Sequence, residues 1–242
     1  MFELAVALFL LALIFGSMFV PLQAQLDARK TEETEAILHR AREALLGYAA
    51  ANGYLPCPAV SSGAEPREAD HATGTCPAYH GYLPAIALGL QPTDSRGLAI
   101  DAWNTPASHI RYAVAPYAVA KVSNPFTRVN GMRAVGIASL GDSAVSLLHV
   151  CSSAAGVVDN TACGPGATLV SNAPVVLWSA GPNAASGGAS RDEAQNPNAN
   201  GGSADRIFVS RARSAGADFD DQVAWIPMPA LIARLVAAGQ LP

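Results

Sequence analysis

An α+β fold, with one long N-terminal helix laid along an antiparallel β-sheet, is predicted by three features of this sequence. Residues 4–22 carry no charge, and a helical pattern continues past them to Gly53. Beyond Gly53 come short runs rich in β-branched and aromatic residues, spaced by Gly, Asn, Ser and Pro. The chain then closes on "PALIARLVAAGQLP", which reads as a short helix stopped at Gly239. A sheet of such strands needs cover for its apolar face, and the amphipathic part of a long helix supplies it.

The helix divides by character. Residues 1–22 form a membrane-spanning half: the 19 residues 4–22, at about 1.5 Å rise each, measure about 28 Å, close to the hydrocarbon thickness of a bilayer. A cleaved secretory signal fits less well, because a basic start, a shorter apolar core and a small-x-small cleavage site are lacking. Residues 23–53 form the extracytoplasmic half. Its first part, "DARKTEETEA", has no large apolar side chain, whereas Ile37, Leu38, Ala41, Leu45 and Tyr48 recur at mostly helical spacing and predict a face packed on the rest of the chain. Glu3 stands alone at the lip of the apolar run. A carboxylate inside a membrane helix costs about 2.5–3.5 kcal/mol, less near the end, and becomes tolerable once paired. The small residues Ala5, Ala7, Ala12 and Gly16 allow such helices to approach closely.

Residues 54–242 are expected to form a single β-rich head. Strands are predicted at 110–115, 133–139, 145–150, 175–180, 206–210 and 222–226. The four cysteines form two sequence-local pairs, Cys57 with Cys76 and Cys151 with Cys163. Local pairing is the simplest of three connectivities, and loops of this size contribute roughly 3 kcal/mol each in the chain-entropy model. Zinc held by Cys57, Cys76 and His71 or His80 is the rival reading, without a CxxC or HxxxH to favour it. Only 14% of the 242 residues are charged, which together with paired cysteines points outside the cytosol. Fifteen basic against nineteen acidic residues give a net charge of −4, and no basic cluster is interleaved with aromatics, so no nucleic-acid partner is expected.

"FELAVALFLLALIFGSMFVPLQAQLDARKTEETEAILHRAREALLGYAAANGYLPCP", residues 2–58, resembles the stem of the type IV pilin and type II secretion pseudopilin superfamily. "DAWNTP" at 101–106, leading into "IRYAV", is similar to an Asp-x-Trp-Gly-x-Pro segment of major pseudopilins, with Asn104 where Gly is usual. "VVLWSAGPN" followed by a polar loop and "ADRIFVS" is similar to their Ser-x-Gly-x-(Asp/Asn) segment. The resemblance implies a structural filament subunit and no enzyme. It would be held single-pass in a bacterial inner membrane, with its head in the periplasm, until it joins a filament. Implied partners are sister pilin or pseudopilin subunits, an inner-membrane assembly platform and a prepilin peptidase. The implied role of Glu3 is to meet the N-terminal ammonium of a neighbouring stem. Family precursors carry a basic leader ending in Gly, so such a leader and two further residues are expected upstream of Met1. A leader would also balance Arg29, Lys30, Arg40 and Arg42, which alone would keep the head in the cytoplasm. In several members the polar loop holds calcium; in the corresponding Gly181–Asp205 stretch, Asp192 and Asp205 are the expected ligands.

The alternative class is a membrane-anchored extracytoplasmic binding module or hydrolase that uses the stem as a tether. "GDSAV" at 141–145 would then supply Ser143 as nucleophile and Asp142 as orienter of a histidine. Without a Gly-x-Ser-x-Gly elbow, Gly-Asp-Ser is more simply a hairpin turn between two strands.

Overall fold

The computed structural model describes residues 2–60, 71–105, 107–159, 161–186, 190–196, 205–213 and 218–242, with side chains from Gln23 onward. Helix α1 runs unbroken over Phe2–Asn52. It ends where Gly53 takes a φ of +76° while its N–H bonds Ala49 O at 2.8 Å, a left-handed stop that glycine adopts without strain. On its C-terminal half Thr34, Ile37, Leu38, Ala41, Leu45, Leu46 and Ala49 are buried, the three-and-four spacing of one helical face. Over the described side chains no helix is long and apolar enough to cross a membrane. The span expected at 4–22, and Glu3 with it, lies outside them.

Seven strands follow among the described residues: β1 His80–Tyr82, β2 Arg111–Val114, β3 Leu148–Cys151, β4 Thr168–Ala173, β5 Val175–Ser179, β6 Ile207–Val209 and β7 Gln222–Ile226. Four helices accompany them: α2 Gly131–Val135, α3 Ile137–Leu140, α4 Arg191–Gln195 and α5 Met228–Ala237. Instead of the single sheet expected, there are two. An antiparallel sheet has the order β1-β2-β5-β7, and a second has the order β4-β3-β6, antiparallel at β4 and parallel at β6.

The two sheets and α1 stack as three layers, and the sequence of β5 shows why. Residues directly opposite in antiparallel strands share a face. Leu177 faces Tyr112 across the ladder, and Ser179 faces Gln222. Tyr112 donates its hydroxyl to Pro56 O at 2.9 Å, just beyond α1, and Gln222 Nε2 donates to Thr31 O at 3.0 Å, so this face lies against the helix. Trp178 points the other way and meets Phe208 of β6 with ring centroids 5.0 Å apart. Val-Val-Leu-Trp-Ser is therefore buried at every position, the continuous apolar run of a strand covered on both sides. Helix α5 buries Met228, Leu231 and Leu235 and binds α1 at its rim through Arg234 to Glu43 at 3.0 Å.

Both expected disulfides are present, with Cα separations of 5.5 Å for Cys57–Cys76 and 5.6 Å for Cys151–Cys163. Among the described residues no cysteine is free, which removes zinc ligation by thiolate. Two local expectations are corrected. Residues 133–139 are not a strand: Gly136, at φ +80°, separates the two short helices α2 and α3. "GDSAV" is a turn between α3 and β3, not a hairpin between strands, held by Asp142 Oδ1 accepting from Ala144 N at 2.9 Å.

Candidate metal centre

Short helix α4 is N-capped by Ser190. Its Oγ accepts from the backbone N–H of Glu193 at 3.2 Å, and this sets Glu193 in the first turn. The Glu193 side chain is fully buried; it accepts from Asn183 Nδ2 at 3.1 and 3.2 Å and from the backbone N–H of Asp220 at 2.7 Å. The latter bond draws in the Asp220-Asp221 pair that precedes β7. The carboxylates of Glu193, Asp220 and Asp221 consequently all lie within 4.8 Å of one another.

Their partners are unequal. Asp221 accepts from Asn196 Nδ2 at 2.6 Å. Asn196 in turn exchanges bonds with the backbone of Val209, a side-chain imitation of strand pairing that fixes the cluster to β6. Asp220 is 2% exposed, and neither of its carboxylate oxygens has a donor. Asn183 also keeps a buried Oδ1 without a donor. Gly181, at φ +61°, lies so close that a β-carbon there would stand 2.4 Å from Asp220 Oδ1, so the Ser-x-Gly segment needs its glycine for room as well as for backbone shape. Ser179 hydrogen-bonds Asp101 Oδ2, whose Oδ1 accepts from Trp103 N at 2.9 Å, and this couples the same segment to "DAWNTP".

Three buried acids in one pocket cannot all ionise freely. Burial first, then the Glu193 charge, pushes Asp220 up to about 7. Burial likewise pushes Asp221 up to about 7, against the hydrogen bond from Asn196 and with added repulsion from Glu193 and Asp220. A hard divalent cation fits this donor set. It is all oxygen, it offers up to three negative charges, and the donorless Asp220 carboxylate and Asn183 amide oxygen are the atoms such an ion would use.

Asp192 and Asp205, the expected calcium ligands, lie outside this cluster. Asp192, one step before Glu193 on α4, turns outward: it accepts from Ala154 N at 2.7 Å and Ser153 Oγ at 3.1 Å and pairs with Arg211 at 3.1 Å. Asp192 thus ties the Cys151–Cys163 loop to α4. Asp205 accepts from Ile207 N at 3.0 Å and from Gln195 Nε2 at 3.5 Å, at the start of β6. Neither belongs to the convergent group. Asp220 and Asp221 had a legible signal in their adjacency; Glu193 had none in the sequence.

Ser143 is exposed in the α3–β3 turn. Another serine, Ser146, lies 2.9 Å from His149 Nε2. Asp94 binds His109 Nε2 at 3.1 Å and Arg96 at 2.9 Å.

No family model matches the chain, and neither a curated protein nor a solved structure matches it.

Proposed function

We propose that this chain is a structural subunit of a type IV pilus or type II secretion pseudopilus-type filament, anchored in a bacterial inner membrane by residues 4–22 before assembly. The observation that carries this reading is the form of α1. The head grips the helix from Lys30 onward, through the Lys30–Trp103 cation–π contact at 5.3 Å, the bond from Gln222 to Thr31 O and the buried face from Thr34 to Ala49. Gln23–Leu26 are exposed, and the helix continues back to Phe2. At about 1.5 Å per residue the part before Lys30 measures about 42 Å, a projecting stem whose outer portion is uncharged apart from Glu3. Supporting the resemblance, Asn104 stands at φ +52°, where glycine is unstrained and asparagine is among the few tolerated replacements.

In this reading stems pack side by side, and each Glu3 is neutralised by the amino end of the next subunit. Sister subunits and the inner-membrane platform are the partners, and a prepilin peptidase matures the chain. The Glu193–Asp220–Asp221 centre holds calcium, which fixes α4, the Ser179–Asn183 segment and the start of β7 as one rigid corner of the head. Calcium supplies structural charge neutralisation there.

The test is genetic and biochemical. In the source cells, filaments sheared from the surface or drawn out by overproduction should contain the parent chain. Glu3→Ala should reduce its content at least tenfold while its membrane level stays the same. Equal incorporation of both chains would remove the pairing role of Glu3 and, with it, this reading.

A further inference from the structure

Strand β7 pairs with β5 in unbroken register from Gln222–Ser179 to Ile226–Val175. Along its other edge no strand among the described residues pairs with it. Exposed edges are ordinarily blunted by lysine, proline or a bulge. Gln222-Val-Ala-Trp-Ile contains none of these.

A cleft of about 360 Å³ runs beside this edge, a size at the lower end of ligand pockets (~300–1,000 Å³). Val223 and Ala224 line it from the strand, Leu38 and Arg42 from α1, and Arg211 and Arg213 from the chain that follows β6. The three guanidiniums are committed to different degrees. Arg211 is engaged by Asp192 at 3.1 Å and Asp218 at 3.4 Å, and Arg213 donates to Thr31 Oγ1 at 2.6 Å. Arg42 reaches Glu43 only at 4.0 Å, and its Nε is buried with no acceptor. Two carboxylates also line the cleft, Glu35 and Asp221, and the second is occupied by Asn196. The charge balance therefore favours an anion, and an arginine fork suits a carboxylate.

We propose that this cleft binds an extended acidic peptide segment of another protein, which adds as a strand to the free edge of β7 and sets a carboxylate on Arg42. Main-chain hydrogen bonds to the edge supply sequence-independent affinity, and Arg42, helped by Arg213, selects acidic side chains. Leu38 and Val223 give the intervening apolar side chains a surface to cover.

The full-length chain in detergent micelles is titrated calorimetrically with a capped Val-Glu-Val-Glu-Val-Glu peptide. Parallel titrations use its Val-Lys counterpart and the same acidic peptide N-methylated at alternate residues, which cannot complete a strand ladder. Saturable binding of the acidic peptide is expected, at least tenfold weaker for the Val-Lys and N-methylated peptides and at least tenfold weaker with Arg42→Glu. The N-methylated peptide leaves the protein untouched, so the result stands even if Arg42→Glu folds poorly. Absence of saturable binding up to about 1 mM, equal binding of the acidic and basic peptides, or equal binding after N-methylation would each overturn the proposal.

Discussion

In chelator at pH 7.5, Asp220→Asn should melt above the parent chain by about 5 °C or more, and it should lose the response to calcium expected of the parent. Both effects come from the same buried carboxylate. Asp220 is 2% exposed without a donor, and its carboxyl is pushed up to about 7 by burial and by Glu193. A raised carboxyl stabilises the fold below the unfolded value near 4, where both states hold the proton. As the pH rises towards 7 the unfolded chain releases its proton and the folded chain does not, so stability falls through that window and the loss is complete above it. A shift of this size on a buried group amounts to roughly 2–4 kcal/mol, and each kcal/mol moves the midpoint of a chain this long by about 2–4 °C. The amide removes the charge and keeps the shape.

In the proposed reading calcium acts on the parent by replacing the protons. At one hundred times its dissociation constant a ligand contributes about 2.7 kcal/mol, a rise of about 5–10 °C. Asp220→Asn should keep less than about a third of that rise. His80 works in the opposite direction: burial lowers it to about 4, so it contributes stability that is lost as the pH falls from about 6.5. The difference between variant and parent, measured by calorimetry from pH 4 to 8, isolates the acid cluster from His80. An unchanged midpoint on adding calcium to the parent, or an equal shift in Asp220→Asn, would refute the metal centre.

Trp178→Ala should cost about 3–5 kcal/mol, the usual range for emptying a buried tryptophan site, and lower the midpoint by about 10 °C or more. Trp178 is 1% exposed, lies on the central strand β5 and touches Phe208, which also stacks on His80 with centroids 5.7 Å apart. It is the joint between the two sheets. Its indole N–H is buried without an acceptor, so Trp178→Phe forfeits no hydrogen bond and should keep most of the stability. Denaturant unfolding of the three proteins checks the ranking. A Trp178→Ala loss below about 1 kcal/mol would mean that the sheets do not pack as described.

What could be read from the sequence follows from where the information is local. The buried face of α1, the runs that became β2, β5 and β7, and the terminal helix α5 each carry their pattern within ten or so residues. The run at 133–139 has apolar residues too, but Gly136 at φ +80° breaks it into helical turns that no strand alternation would reveal. Strand β4, Thr-Leu-Val-Ser-Asn-Ala, is an edge strand buried only at Ala173, and β1 is three residues long. Neither has an apolar period to detect.

The acid cluster was half legible. The Ser-x-Gly segment and the polar loop after it contribute Gly181 and Glu193 to its surroundings. Neighbouring carboxylates on a helix differ by about 100° in direction, however, and composition does not say that Glu193 turns inward while Asp192 meets Arg211. Asp220 and Asp221 lie 27 and 28 positions from Glu193 in the chain, and only the return of β7 beside β5 brings them to it.

The most direct test of the assembly account is to place a photo-crosslinking side chain at Ala12 in the intact cells and examine the products by size. Packed stems predict a ladder at multiples of the 24.8 kDa chain, lost when Glu3→Ala is added. A lone monomer band in cells that hold every assembly component, or a ladder indifferent to Glu3→Ala, would contradict it.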